Sequence, residues 1–505
     1  MNEHPSPSDQ TPQSRLSLFR NWTSLAGLTI VVASVFSFLL LFLIDTLAHS
    51  ANPYIGILTY LVAPMFLVTG LALTAIGLLL RQRRFIKDAG AAPRLQIDLH
   101  RPRDRRMMGF FLGGTVVFLL LAAMGSYQTY HFTESVTFCG QACHGVMTPE
   151  FVAYTNGPHA RVTCAECHIG AGAGWYVRSK LSGAYQVYAT MANKYPRPIP
   201  TPIKNLRPAQ ETCEQCHWPK KFVGNLDRLY SYYLNDETNT PFTVRLLMKV
   251  GGSDPTHGPV EGIHWHMNVG HKIQYVSAKL EKDGRWVADE TRQKIPWVRS
   301  IDAQGVVTEF RMAKFTNDPS RYELRTMDCM DCHNRPAHVY HAPNTAVNLA
   351  IQLGQIDRSI PSIKSNALWV LTQTYKGETE ALQKIATTLA AKYPGDARLP
   401  RVIEAVQLIY KKNFFPEMNV NWKVYPNNIG HMHWPGCFRC HDGLHKTADG
   451  KQSIKASDCN ACHVIMAQGA GKDLEKMNAT GFKFAHPGDE LDPNPQCHEC
   501  HSGGM

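Results

Sequence analysis

Fourteen cysteines, all after residue 138, form seven close pairs, and a histidine follows each pair directly. Six of these stretches read C-x-x-C-H, and the first has one additional residue between its cysteines. Two thiols at this spacing can form thioethers with the vinyl groups of one haem, and the next imidazole can then bind the iron. The motifs are Cys139/Cys143/His144, Cys164/Cys167/His168, Cys213/Cys216/His217, Cys329/Cys332/His333, Cys437/Cys440/His441, Cys459/Cys462/His463 and Cys497/Cys500/His501.

A structural zinc site is the main alternative for such cysteine pairs, but zinc would not require a histidine at the following position. The pattern therefore predicts seven covalently bound haem c groups. For the first motif, a disulfide or an unused pair competes with haem. Met147 lies three residues after His144, where it fits either a thioether ligand of the first iron or a packed surface residue.

Thirteen other histidines lie after residue 126, enough to supply a sixth ligand to each iron. A surface histidine is more often solvated than metal-bound, but the density of motifs favours ligation for histidines close to them. Of the pairs His264/His266 and His431/His433, one member each is expected to bind iron, and His498, between two cysteines, is not. The remaining predicted distal ligands are His159, His338, His445 and His486.

Three apolar runs, residues 25–47, 54–80 and 109–126, are long enough to cross a bilayer as helices, and their one charged residue is Asp45 near the end of the first. The loop at 81–106 carries nine Lys or Arg against three Asp, so it should stay cytoplasmic. The N-terminus is then inside, and every cysteine lies in the bacterial periplasm. A cleaved signal peptide ending near Ala48 and Ser50 is the alternative for the first run, and it gives the same sidedness.

The net charge of +11 does not indicate nucleic acid. More than half of the excess lies in the 81–106 loop, and the propionates of seven haems would offset most of the rest. The external chain is sparse in apolar periodicity around the motifs, so the haems themselves are expected to fill its core. Residues 240–325 are rich in β-branched and aromatic runs, and residues 345–412 repeat apolar residues at helical spacing.

These patterns predict a mainly α and irregular multihaem cytochrome c with three N-terminal transmembrane helices and a small β-rich insertion. The predicted segments are a cytoplasmic tail (1–24), the membrane helices (25–126), a domain with haems 1–3 (127–239), the β-rich insertion with haem 4 (240–345), a helical linker (346–415) and a C-terminal trihaem domain (416–505).

The stretches "FCGQACHGVMTPE", "YTNGPHARVTCAECHIGAG" and "ETCEQCHWP", which follow a membrane helix, resemble the NapC/NirT family of membrane-anchored multihaem quinol dehydrogenases. The resemblance covers about residues 109–220. The two extra helices and seven motifs are similar instead to the heptahaem inner-membrane cytochrome of metal-reducing bacteria. In the family, a lysine and an acid after the second motif bind quinol near the first haem. Lys180 fits that lysine, or is an interfacial lysine reaching the headgroups, and Gln186 stands near the acid's place.

The resemblance implies a membrane-bound oxidoreductase that oxidises menaquinol at the periplasmic face and passes electrons to periplasmic multihaem cytochromes, toward extracellular or terminal acceptors. Its partners would be the quinone pool and those cytochromes, and a homo-oligomer is left open. One alternative is a terminal reductase of nitrite, hydroxylamine or a sulfur oxyanion. A relay without direct quinol contact is another. The haems would carry the redox chemistry in each case.

Overall fold

The computed structural model describes residues 21–47, 58–87, 100, 102–142, 144–169, 173–203, 206–218, 221–252, 262–267, 270–455, 459–488 and 496–504. The chain forms two compact units. The N-terminal unit comprises Met1–Cys139 and Cys164–Val187, and the C-terminal unit comprises Gly140–Thr163 and Tyr188–Met505. Most of the predicted cytoplasmic tail, residues 88–99 of the basic loop and the alternative cleavage site lie outside the described residues.

Two apolar helices pack closely at the start of the N-terminal unit, α1 (Trp22–Leu47) and α2 (Ala63–Lys87). Their backbones meet at glycines. A Cβ atom on Gly27 would lie 2.5 Å from the Thr74 backbone nitrogen, and one on Gly70 would lie 2.9 Å from the Gly27 carbonyl oxygen. Small residues permit this approach between helices in lipid, where apolar burial does not drive association.

Two helices in the described chain, over Trp22–Leu43 and Ala63–Arg81, are long and apolar enough to cross a membrane, rather than the three predicted. The third apolar run lies in α3 (Pro102–Glu134), a helix of 33 residues that is not one of these two. Several of its large apolar side chains nevertheless face outward. Phe110 is 82% exposed and Leu120 is 66% exposed.

Short helices carry several of the cysteine motifs, and the chain between them is largely irregular. The helices in this part of the chain are α4 (His144–Thr155), α5 (Cys164–His168), α6 (Ala173–Met191), α7 (Ala209–Cys213) and α8 (Cys329–Cys332). The sparse packing around these helices agrees with the lack of apolar periodicity in the sequence.

The main hydrophobic core of the C-terminal unit lies among four amphipathic helices, α9 (Pro343–Gln352), α10 (Ile363–Thr372), α11 (Glu378–Lys392) and α12 (Leu399–Asn413). Leu368, Leu371, Ile385 and Leu389 are fully buried there. The segment predicted as a helical linker is therefore a packed helical core. A last short helix, α13 (Cys497–Cys500), carries the seventh motif.

In the described part of the chain, ten strands form three antiparallel sheets. The strands are β1 (Leu226–Tyr233), β2 (Pro241–Met248), β3 (Lys272–Val276), β4 (Ala278–Leu280), β5 (Trp286–Ala288), β6 (Trp297–Ile301), β7 (Val307–Met312), β8 (Leu324–Thr326), β9 (His445–Lys446) and β10 (His463–Gly469). The sheet orders are β1-β2-β10, β8-β3-β6-β7-β9 and β4-β5. Tyr275 of β3 is buried in one hydrophobic cluster. Trp297 of β6 and Phe315 are buried in a second cluster.

Two strands come from the region predicted as a separate trihaem domain. In β10, His463 pairs with Met248 of β2, and in β9, His445 pairs with Met312 of β7. The β-rich segment is thus completed by residues about 130 to 215 positions later in the chain, and it is not a self-contained insertion. Antiparallel strands pair regardless of their separation in sequence, so local patterns do not reveal such partners.

Candidate haem centres

Four of the cysteine motifs share one local backbone geometry. In α8, the Asp328 carboxylate accepts from the Met330 backbone N–H at the helix start, and the backbone N–H of His333 donates to the Cys329 carbonyl at 2.8 Å. The same closing hydrogen bond recurs in the motifs of His217, His441 and His501, at 2.8, 3.1 and 2.8 Å. A single turn therefore places both thiols and the histidine together, as attachment to one haem requires.

Twelve of the motif cysteines have side chains in the described part of the chain. A thioether forms only when a haem vinyl group adds to the thiol, so haem attachment at these positions stays a prediction. Cys167 and Cys462 are half-buried and Cys216 is exposed. Cys143 and the Cys459 side chain lie outside the described residues. The twelve described thiols are those of Cys139, Cys164, Cys167, Cys213, Cys216, Cys329, Cys332, Cys437, Cys440, Cys462, Cys497 and Cys500.

The first and second motifs adjoin in the N-terminal unit, because Cys139 and Cys164 hydrogen-bond side chain to side chain.

Among the described residues, no group of three or more His, Cys, Asp or Glu side chains could hold a metal ion.

Five motif histidines each face a second histidine across a gap. Two imidazoles that bind one metal from opposite sides have centroids about 6 Å apart, given metal–nitrogen bonds of about 2 Å. The observed centroid separations lie between 5.8 and 6.5 Å. The pairs are His217 with His159, His333 with His264, His441 with His266, His463 with His431, and His501 with His486.

Backbone carbonyls hold several of the second histidines by their Nδ1 atoms. His159 Nδ1 lies 3.0 Å from the Pro336 oxygen, His264 Nδ1 lies 2.6 Å from the Val250 oxygen, and His266 Nδ1 lies 2.8 Å from the Ile263 oxygen. With Nδ1–H donating, Nε2 is the free ligand atom, a second-shell arrangement common in metal sites. Burial also lowers the pKa of His264, which favours the neutral imidazole that binds a metal.

The sequence predicted one ligand from the pair His264/His266, but both face a motif histidine. They lie on one 3₁₀ turn, Ile263–Met267. His264 lies opposite His333 of the fourth motif, and His266 lies opposite His441 of the fifth. From the other pair, His431 faces His463, whereas the nitrogens of His433 lie 3.2 Å from the His501 carbonyl oxygen and 3.2 Å from Thr345 Oγ1.

His445 has a structural role in β9. Its ring is fully buried, with Nδ1 2.8 Å from Asp442 Oδ1 and Nε2 2.7 Å from the Ile295 carbonyl oxygen. No ring nitrogen is left for an iron. This geometry contradicts the prediction that His445 is a distal ligand, which relied on its proximity to the fifth motif in sequence.

His338 resembles the other anchored histidines, because its Nδ1 lies 3.0 Å from the Glu150 carbonyl oxygen.

In the first motif, the His144 side chain, like Cys143, lies outside the described residues. Met147 is half-buried one turn after His144 on α4, so its predicted role stays a prediction. In the second motif, burial lowers the pKa of His168, which again favours a neutral imidazole.

Neighbouring motifs of the C-terminal unit lie against one another. The Cys213 and Cys329 side chains hydrogen-bond, which places the third motif beside the fourth. Cys332 lies close enough to Cys437 and Cys440 for their charges to interact, which places the fourth motif beside the fifth. Cofactors held by these motifs would be adjacent, as transfer of electrons between them requires.

Lys180 forms an ion pair that sequence reasoning missed. Its Nζ lies 3.0 Å from Glu134 Oε1, and the two side chains are 32% and 9% exposed. The charges of both residues act on the Cys139 thiol of the first motif. Gln186, near the place where the resemblance puts an acid, is exposed and donates to Ser182 Oγ at 3.2 Å. The sequence offered one signal for the ion pair of Lys180: an acidic residue, Glu134, lies five positions before Cys139.

Together, the cysteine motifs, the histidines that lie opposite them and the apolar helices are features of a membrane-linked cytochrome c. Residues 101–198 match the NapC/NirT cytochrome c family, N-terminal region. The chain is 39% identical over 497 residues to the cytochrome c-type protein ImcH of Geobacter sulfurreducens, covering 95% of each chain. The chain therefore belongs to the NapC/NirT cytochrome c family, and it is a membrane-associated haem protein of electron transport. No solved structure matches it.

Proposed function

We propose that this protein oxidises menaquinol at the periplasmic face of the bacterial cytoplasmic membrane and delivers the electrons through seven haem c groups to periplasmic multihaem cytochromes. The observation that carries the proposal is the position of Lys180. It pairs with the last residue of the apolar helix α3 and lies beside the first cysteine motif. A quinol that stays in the lipid would reach a haem bound at this point.

The third to seventh motifs are proposed to hold haems with two histidine ligands, in the five pairs described above. His338 is proposed as a further distal ligand, because a backbone carbonyl holds its Nδ1 in the same way as those of His159, His264 and His266. Met147 is proposed as the thioether ligand near the first motif. Haem c supplies one-electron transfer at each iron, and the protein sets its ligation and burial.

We also propose that α3 is a third membrane-spanning helix. Its exposed apolar residues, including Phe110, Val116 and Leu120, would otherwise face water. With the basic 81–106 loop in the cytoplasm, a third crossing puts all the motifs in the periplasm. That is the compartment in which a quinol dehydrogenase meets periplasmic acceptors.

The five histidine pairs disfavour the terminal-reductase alternative, since each pair would supply both protein ligands of one haem iron and would leave no position for a substrate. The relay alternative differs in a measurable way. The detergent-solubilised protein should contain seven haems by the pyridine haemochrome assay, and an anaerobic menaquinol analogue should reduce it rapidly. A quinone-site inhibitor should block this reduction. Reduction by dithionite without reduction by quinol would instead mean that a partner supplies the electrons.

A further inference from the structure

Quinol oxidation requires a group that takes up protons, and Gln186 cannot serve because an amide is not a base at neutral pH. Its side chain is exposed and bonds along its own helix to Ser182. The acid that the resemblance places near this position is therefore missing from α6. A proton acceptor, if the site has one, must come from another element.

Glu134 is positioned to replace it. It is the last residue of α3, eight residues beyond the apolar run 109–126, and its side chain is 9% exposed. Its Oε1 lies 3.0 Å from Lys180 Nζ, and its charge acts on Cys139. The carboxylate thus lies at once beside the proposed quinol lysine, the first haem attachment and the end of the helix proposed to reach the membrane surface.

We propose that Glu134 is the catalytic base of quinol oxidation, supplied by the membrane helix in place of the acid absent at Gln186. This inference rests on the proposed function. A lysine ammonium has three N–H donors, so Lys180 can hydrogen-bond both the Glu134 carboxylate and a quinol oxygen. The ion pair then holds the carboxylate next to the hydroxyl that must lose its proton.

The proposed step balances for one menaquinol. Two O–H bonds break, and menaquinone, two protons and two electrons are formed. The first proton passes from a quinol oxygen to a Glu134 carboxylate oxygen and from there to periplasmic water, and the second follows the same path. The two electrons reduce two ferric haems of the chain, one electron each, so no outside oxidant is needed.

The test compares Glu134→Gln with the wild-type protein in anaerobic menaquinol oxidation. Loss of a general base costs about 10² to 10⁴ in rate, so kcat should fall about 100-fold or more. KM, the binding of a quinone analogue followed by fluorescence quenching, haem content and dithionite reduction should change little. Glu134→Asp should recover part of kcat, because it restores a carboxylate.

Two variants serve as controls. Gln186→Ala should keep wild-type turnover, since that side chain has no part in the step. Glu281→Gln removes an exposed carboxylate that also pairs with a lysine, Lys279, at 3.1 Å, and it should likewise have no effect. A redox-difference infrared spectrum gives a readout independent of turnover: a protonated-carboxyl band should be present in the wild type and missing in Glu134→Gln.

The outcomes separate this inference from the function on which it rests. If wild-type protein takes no electrons from menaquinol, the proposed function fails. If the wild type oxidises menaquinol and Glu134→Gln matches it, Glu134 is only a structural partner of Lys180. If Glu134→Gln fails to assemble its haems, the proposal is tested by the turnover of Glu134→Asp and by the infrared spectrum of the wild type. Absence of the protonated-carboxyl band from the wild-type spectrum would overturn the proposal.

Discussion

The rings of His431 and His433 lie two residues apart yet face different partners. His431 faces the sixth-motif His463 with ring centroids 6.3 Å apart, whereas both nitrogens of His433 lie near protein oxygens. We therefore expect His431→Ala to convert one low-spin ferric haem to a high-spin haem, because an axial ligand is lost. His433→Ala should leave all haems low-spin. Electron paramagnetic resonance of the oxidised proteins makes the comparison.

The two variants are matched in sequence position and residue type, so a general effect on folding would affect both. A high-spin signal from His433→Ala alone would reverse the ligand assignment. The sequence could limit the choice to these two residues but could not select one. The selection depends on strand β10, which brings His463 into place through pairing with β2 more than 200 residues earlier.

Lys364 is a buried cation with a predictable pH dependence. Its side chain is 3% exposed and donates to the Tyr233 carbonyl oxygen, and burial lowers the pKa of Lys364 to about 8. Below about pH 8 the folded protein bears the full cost of a buried charge. That cost disappears as pH rises from about 8 toward the pKa of an unfolded lysine, near 10.4.

The wild-type protein should therefore gain thermal stability relative to Lys364→Met as pH rises from about 7 to 10. Melting temperatures of the two proteins measured across this range supply the test. Methionine does not titrate, so the difference between the two curves isolates the lysine. If the melting temperature of the wild type minus that of Lys364→Met stays constant or falls as pH rises, the amine is solvated in the folded state.

Among the elements, α1 and α2 depend on glycine contacts. A side chain at Gly27 would lie within 2.5 Å of Thr74 atoms of the other helix, whereas a Cβ on Gly113 of α3 meets no atom within 4 Å. Gly27→Leu should destabilise the helix pair by about 1–3 kcal/mol, as overpacking does. Gly113→Leu should have little effect. Thermal unfolding of the detergent-solubilised protein, with membrane yield, measures both. Equal losses would contradict this packing.

Local patterns predicted elements well where the pattern alone determines them. The helical spacing in residues 345–412 corresponds to α9–α12, since each of these helices has an apolar face that it buries. The β-rich runs correspond to β2–β8. The strand β1 lies before residue 240 and was also missed. The strands β9 and β10 were missed because each pairs with a strand that is distant in sequence. The role of His445 was missed as well, since its two hydrogen-bond partners hold it in β9.

The candidate sites divide in the same way. The motif histidines were found from sequence because haem attachment requires residues adjacent along the chain. The histidines that lie opposite them could be predicted only as candidates, because two ligands of one iron need to be close in space but not in sequence. Glu134 was missed for the same reason, since it is 46 residues from Lys180 and belongs to a different helix.

For the whole molecule, we expect a direction of electron flow from the positions of the motifs along the chain and from their neighbours within each unit. Cys139 and Cys164 adjoin in the N-terminal unit, beside Lys180. In the C-terminal unit, the third motif adjoins the fourth and the fourth adjoins the fifth. If quinol enters at the first haem, the seventh motif, on α13 near the end of the chain, is remote from entry in sequence and serves delivery.

His501→Ala should therefore leave menaquinol reduction of the other haems close to the wild-type rate while slowing transfer to an acceptor cytochrome about tenfold or more, because removing an axial ligand changes the potential of the terminal haem. Stopped-flow spectroscopy can follow both half-reactions, with His433→Ala as a control that keeps the iron ligands. If His501→Ala instead blocks reduction by quinol and spares electron delivery, electrons enter at the C-terminal end, and both Lys180 and Glu134 lose their proposed roles.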